Sequence, residues 1–327
     1  MSMRWVSAFA GIGGFDVAIE AEGMEVTDQI EINAHCQLIL RKHFPKAHLM
    51  GDITDVRAHD LSNDVDGAVG GFPCQDTSIA APHRAGLAGK RSGHFYEFTR
   101  LLDEYARCID ITRPRWVVIE NPVGLLRSND GRDMLTVVRT LAELGYVGSA
   151  RVLDARDHGS PQRRQRVIVV GHRGTDPTPV ELVLGDRGPG AHARGARRLS
   201  GGTIGPVPSP TAAYDGVWRK SARARAALSK GGYETWVSDG DANTLTGFDY
   251  GGPKRQTHLI AQDGRLRTAT LREWERLQGF PDDWTVGIPE SARGTGIGNA
   301  MHVGMARWVM SGIRETHHAL PLIGATR

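Results

Sequence analysis

Residues 1–172 predict an α/β fold: an open, largely parallel sheet with helices on both faces. Three observations carry the prediction. Strand-like apolar runs alternate with helix-like segments along this part of the chain, the pattern of successive βαβ units. The first run ends in a glycine turn, Gly11-Ile12-Gly13-Gly14, that opens a helical pattern, which is where sheets of this kind approach nucleotides. A later run, Trp116-Val117-Val118-Ile119, is apolar without interruption and ends in Glu120, as expected of a strand buried on both faces that delivers a polar group at its carboxyl end.

Taken in order, Arg4–Phe9 reads as the first strand and Gly14–Ala21 as the helix after it, apolar at Phe15, Ala18 and Ile19. Val26–Ile30 is the second strand and Ala34–His43 its helix. Gly67–Gly71 is a strand, Tyr96–Ile111 an amphipathic helix and Trp116–Glu120 a strand. Met134–Leu144 is a helix stopped by Gly145, and Arg166–Gly171 a further strand. Beyond Gly171 the character changes. As far as about residue 265 the chain is rich in Gly, Pro, Ser, Arg and Thr with little periodicity, which fits a separate, irregular, basic module. Helical pattern returns at Leu271–Leu277 and at His302–Ile313. The resulting division is 1–172, 173–290 and 291–327, the last segment returning to the first domain.

Composition limits the function. The three cysteines, Cys36, Cys74 and Cys108, show no CxxC or Cys/His spacing, so neither a disulfide framework nor a metal site is expected. A reducing, cytoplasmic setting follows. The start, MSMRWVSAFAGIGG, lacks the basic and long apolar regions of a secretory signal, and no run is long enough to span a membrane. The net charge of +3 conceals an acidic first 70 residues and a basic stretch over 190–230, with Arg194, Arg197, Arg198, Arg219, Lys220, Arg223, Arg225 and Lys230 opposed only by Asp215. Such a block suits a polyanion.

Several residues stand where chemistry is done. A NAD-type GxGxxG beginning at Gly11 and Gly13 would need glycine at position 16, where Asp16 stands. Glu31, at the end of the second strand, is placed to accept both hydroxyls of a ribose, and Asp52 after the next segment to hold an adenine amino group. Cys74, in Gly70-Gly71-Phe72-Pro73-Cys74-Gln75, follows an apolar run into a glycine-loosened loop, where a thiol can be either a packing residue or a nucleophile. Glu120 must face solvent, a partner or a substrate, since an unpaired buried acid is costly. In Gln162-Arg163-Arg164-Gln165-Arg166, an extended backbone would turn Arg164 and Arg166 the same way. Cys36 and Cys108 read as packing residues, Trp274 and Leu277 as core, and His317-His318 as a disordered tail.

FAGIGG, GFPCQ, ENPVGL, QRRQR, LREWERLQGFP and GIGNA, in that order, resemble the DNA cytosine-5 methyltransferases of bacterial and phage type. The resemblance covers 4–172 and 265–310. It implies a class I S-adenosylmethionine-dependent methyltransferase sheet, Rossmann-like, with a smaller irregular target-recognition domain. By position it assigns Phe9, Gly11, Ile12, Gly13, Gly14, Glu31, Ile32, Asp52, Ile53, Pro73, Asn299 and Ala300 to S-adenosylmethionine. It makes Cys74 the nucleophile and Glu120 the acid that holds the base, with Arg164 beside it and Arg166 in the same catalytic group. Gln75, His83, Arg84, Lys90 and Arg91 fall on a loop that closes over DNA, and Thr244 and Leu245 on the Thr-Leu element of the recognition domain. No metal is implied. The implied partner is double-stranded DNA, met by a monomer in the bacterial or phage-infected cytoplasm, alongside a cognate restriction endonuclease where one exists. The chain departs from the family pattern at Ser7, near where many members carry an acid, at Thr77, at Pro122-Val123 and at His94, a position that is often leucine.

The chemistry implied is thiolate addition to cytosine C6, which makes C5 nucleophilic toward a sulfonium methyl, on a base extruded from the duplex. Two other readings share these motifs: cytosine-5 methylation of tRNA, and a non-enzymatic DNA binder on the same scaffold.

Overall fold

The computed structural model of the chain describes residues 2–72, 93–185, 216–220, 236–238, 241–246, 258–263 and 265–324. Two compact units emerge. The first comprises Met1–Leu153, Gln165–Gly188 and Met305–Arg327, the second Asp154–Arg164 and Pro189–Gly304.

The first unit holds β1 (Arg4–Ala8), α1 (Gly14–Ala21), β2 (Glu25–Ile30), α2 (Ala34–His43), β3 (His48–Met50), β4 (Gly67–Gly70), α3 (Gly93–Cys108), β5 (Trp116–Pro122), α4 (Arg132–Glu143) and β6 (Tyr146–Asp154). After β7 (Gln162–Arg163), which pairs in the second unit, come β8 (Gln165–Arg173) and α5 (Thr178–Leu184). Seven strands form one sheet in the order β3-β2-β1-β4-β5-β8-β6. β1 is parallel to β2 and β4, and β4 to β5, while β8 runs antiparallel to β5. The order reverses direction between β1 and β4, and ligands bind at the carboxyl ends of strands at such a switch point.

The continuous apolar runs are explained by burial on both faces. Trp116 to Ile119 are fully buried, as are Trp5 on β1 and Val69 on β4. Phe95, Phe98, Leu101, Leu102 and Tyr105 of α3 cover this core together with Val137 and Leu141 of α4. β3 and β6, the two edge strands, carry mixed sequence, His48-Leu49-Met50 and a stretch with Gly148, Ser149 and Ala150, and so show no clear strand pattern in the sequence.

The second unit contains a four-stranded sheet where the sequence shows little periodicity: β10 (Trp236–Ser238), β9 (Gly216–Lys220), β12 (His258–Gln262) and β13 (Arg265–Arg267), in that order. The two-residue strand β11 (Ala242–Asn243) pairs in parallel with β7. Helix α6 (Leu271–Leu277) starts on a capping box between Thr270 and Glu273. Helix α7 (Glu290–Asn299) is held by the buried Glu275, which receives Arg293 Nη2 at 3.1 Å.

Helix α8 (Val303–Gly324) extends well past the stretch legible in the sequence. From Met305 it belongs to the first unit, where Arg307 and Arg314 lie 3.2 and 3.3 Å from the buried Glu22. His317 and His318 are part of this helix rather than of a disordered tail, and His317 is half-buried. Cys108, expected to pack, is exposed at the end of α3. Cys36 is half-buried in α2, with its thiol pushed up to about 12 by burial, so it stays protonated. Among the described residues no helix is long and apolar enough to cross a membrane, and no group of three or more His, Cys, Asp or Glu is placed to hold a metal.

Candidate active site

The glycine turn leaves the end of β1 at the switch point. Phe9 takes φ 54°, and Gly11 and Gly13 φ 57° and 90°. A non-glycine residue in the left-handed region is strained and is kept where its environment holds it there; Phe9 is wedged against the core and against His94, ring centroids 5.8 Å apart. Gly13 allows no side chain, because a Cβ would stand 2.7 Å from Phe44. The turn closes with Gly13 N donating to Ala10 O at 2.9 Å. Ile12 is fully buried behind it, and Gly14 begins α1.

Glu31, one residue past β2, reaches this turn. Its Oε2 accepts from Gly11 N at 2.7 Å and its Oε1 from Asn33 N at 2.7 Å, while its carbonyl accepts from Gln37 Nε2 at 2.6 Å. Burial raises the carboxyl pKa, and the N–H groups of Asn33 and Gly11 oppose that rise. Asn33 also caps α2 through His35 N and Cys36 N, which fixes the bend after Glu31. Ile32 beside it is 68% exposed. Asp52 Oδ1 accepts from Thr54 N at 3.0 Å, and the Ile53 side chain lies in the core. A carboxylate fixed two ways on backbone N–H groups, an exposed aliphatic side chain next to it and a turn of bare backbone together fit a nucleoside.

Beneath the turn lies a polar group that sequence reasoning missed. Asp16, fully buried in the first turn of α1, accepts from Ser7 Oγ at 2.9 Å and from Gln29 Nε2 at 2.6 Å. Ser7, on β1, thus faces the acid across to the helix. Burial pushes the Asp16 carboxyl up to about 6 against the lowering effect of both donors.

Two strands along, Glu120 and Arg166 form an ion pair, Nε to Oε1 2.7 Å, each side chain 12% exposed. The sheet register explains the choice of partner. Glu120 faces Ile168 across β5 and β8 while Pro122 faces Arg166, so Arg166 is the diagonal neighbour of Glu120 on one face. Burial lowers the Arg166 pKa and Glu120 raises it; the guanidinium stays charged. The other carboxylate oxygen of Glu120 lies over Gly71, 3.1 Å from where a Cβ would be. Asn121, buried next to it, donates from Nδ2 to Phe72 O at 3.4 Å. The Asn121 hydrogen bond ties the acid's strand to Phe72, just past β4.

Arg164 was expected beside Glu120. The alternation along the segment is as read, with Gln162, Arg164 and Arg166 turned inward and Arg163 and Gln165 exposed. Arg164, however, falls before β8 begins, and its guanidinium donates to three backbone carbonyls of the second unit: Leu245 at 3.0 Å, Gly298 at 3.3 Å and Ala300 at 2.6 Å. It thereby joins the Thr-Leu element to the GIGNA turn, where Asn299 is exposed and Ala300 buried. Thr244 hydrogen-bonds the Arg163 carbonyl, so this element and the arginine segment meet. Pro73, Cys74, Gln75, His83, Arg84, Lys90 and Arg91 lie outside the described residues.

A family model described as C-5 cytosine-specific DNA methylase matches residues 3–184 and 217–315. Type II methyltransferase M2.BsuMI of Bacillus subtilis (strain 168) is 30% identical over 314 residues, covering 94% of this chain and 74% of that protein. Type II methyltransferase M.HhaI of Haemophilus parahaemolyticus is 27% identical over 334 residues, covering 98% of this chain and 96% of that protein. In structure, a DNMT2 variant of Spodoptera frugiperda superposes with a TM-score of 0.65 at 15% identity, covering 96% of this chain and all of that one, a likeness of fold. The family model spans most of the chain, and the protein belongs to the C-5 cytosine-specific DNA methylases, enzymes that methylate cytosine in DNA.

Proposed function

We propose that the methyl group comes from S-adenosylmethionine held at the Phe9–Gly14 turn, and that Cys74 attacks the cytosine covalently. The observation that carries this reading is that three neighbouring strands deliver these groups side by side: the glycine turn just after β1, Gly71 just after β4 and Glu120 near the end of β5. Glu31 would accept the ribose hydroxyls, with Gly11 and Gly13 offering bare backbone and Ile32 and Asp52 flanking the adenine. When bound, the group supplies an electrophilic methyl on a sulfonium.

The chain's own residues do the rest. The Cys74 thiol passes its proton to water, its sulfur bonds to C6, and the ring electrons move to N3, which takes up a proton that it later returns; the ring's aromaticity is broken and C5 becomes nucleophilic. Glu120, oriented by Arg166, hydrogen-bonds N3 and the exocyclic amine and stabilises the charge that develops there. Once C5 carries the methyl, its proton passes to a base or water, the electron pair re-forms the C5–C6 double bond, and the sulfur leaves. The target base is extruded from the duplex, with the second unit reading its surroundings.

The test is adduct formation. Duplex DNA containing 5-fluorocytosine cannot lose a C5 proton, so wild-type protein and S-adenosylmethionine should give a denaturation-stable complex, and Cys74→Ser none. Absence of the complex with wild type would end the covalent reading. Label transfer to tRNA and not to duplex DNA would redirect the substrate. Glu120→Gln should lower kcat by roughly 10²–10⁴-fold.

A further inference from the structure

We infer that Asp16 is a positioning residue for S-adenosylmethionine binding: clasped between Ser7 and Gln29, its carboxylate closes the base of the Phe9–Gly14 turn and keeps Gly11 N aligned on Glu31. The inference rests on reading that turn as the cofactor site.

The turn has two feet, the end of β1 and the start of α1. Ser7 lies one residue before the last residue of β1 and Asp16 is the third residue of α1, and the 2.9 Å bond between them joins the feet. The second acceptor oxygen takes Gln29 Nε2 at 2.6 Å. Gln29 lies on β2, two residues before Glu31, which follows the end of that strand. One buried carboxylate therefore fixes three things together: the end of β1, the first turn of α1 and the strand that leads into Glu31. Above it, Gly11 N reaches Glu31 Oε2 at 2.7 Å. Asp16 and Gln29 are fully buried and Ser7 nearly so, and a carboxylate is a costly choice for packing alone. Gln29 Oε1, also buried, has no hydrogen-bond partner among the described residues. That spare acceptor means the Gln29 amide can turn over and receive a donor from position 16.

The conservative variant follows directly. Asp16→Asn presents an N–H to the turned Gln29 amide and keeps one oxygen for Ser7, so the clasp survives. Asp16→Leu fills the volume and removes both acceptors, and Ser7→Ala deletes one hydroxyl and no other contact. Equilibrium binding of S-adenosylhomocysteine to the full chain is the measurement, with steady-state methylation beside it. Asp16→Leu should weaken binding by about tenfold, and Ser7→Ala by several-fold, the scale of lost hydrogen bonds to a charged group. Asp16→Asn should restore most of the affinity. KM for S-adenosylmethionine should rise while kcat at saturation and KM for DNA change far less. Wild-type affinity in both Asp16→Leu and Ser7→Ala would overturn the inference and leave the cofactor reading standing. So would equal losses in kcat and in both KM values, the mark of general disruption. Wild-type protein that fails to bind S-adenosylhomocysteine would instead remove the cofactor reading, and the inference with it.

Discussion

A carboxyl group sealed between two strands and a helix makes the stability of the protein depend on pH in the opposite sense to a surface acid. Asp16 is raised from 3.8 to about 6, so between those values the folded chain holds a proton that the unfolded chain has released. Its contribution is fully present below pH 3.8 and is lost as the pH rises through 6. Glu31, just past β2, and Glu20 on α1 are the charged neighbours that interact with it. Asp16→Asn has no proton to lose. The unfolding free energy of the variant should therefore gain on wild type across this window, by about 2–3 kcal/mol, and denaturant titrations at pH 4 and pH 7 would measure it; parallel profiles would contradict the buried charge. Gly71 makes a sharper case for catalysis. Gly71→Ala places a methyl 3.1 Å from the Glu120 carboxylate, and the acid has to move. We expect kcat to fall roughly 10- to 100-fold, the cost of a small misplacement of a reacting group, with the unfolding midpoint little changed. Glu120 was legible in the sequence because an acid abruptly ends an apolar run. Asp16 was visible only as the residue that spoils a GxGxxG pattern, since it lies on α1 while its partners Ser7 and Gln29 come from β1 and β2, and no local spacing announces them.

Elements were read best where two-sided burial leaves an unbroken signal. Gly14–Ala21, Ala34–His43 and Leu271–Leu277 are helices at the expected bounds, and the strands β1, β2, β4 and β5 lie within a residue or two of theirs. The edge strands β3 and β6 and the short strands of the second unit escaped, because a strand with one solvated side and glycine or serine on it has no alternation to read. The arginine segment shows a different limit. Alternation put Arg164 and Arg166 on one face, but only the start of β8 at Gln165 and its register against β5 decide that Arg166 meets Glu120. Helix α2 offers a test at this scale. Asn33 caps His35 N and Cys36 N at 2.9 and 3.1 Å, so Asn33→Ala should cost about 1 kcal/mol of stability in denaturant unfolding.

For the molecule as a whole, ligand and stability are linked. S-adenosylhomocysteine at about 100 times its Kd should stabilise the folded chain by about 2.7 kcal/mol, seen as a higher unfolding midpoint in a thermal scan, and Glu31→Ala should abolish the shift. The composition break at Gly171 falls before the second unit's main segment, Pro189–Gly304, which is joined by Asp154–Arg164, and from Met305 the chain is again part of the first unit. Helix α7, with Gly294, Gly296 and Gly298, has no amphipathic stripe that would assign it to either side. That late return has a consequence for biosynthesis. Arg307, which pairs with Glu22, is synthesised 285 positions after it. At ordinary rates of translation, about 5–20 residues per second, the layer around Glu22 waits roughly a quarter of a minute to a minute for the helix that covers it, so slowed elongation between the two should raise the yield of aggregated, half-made chains.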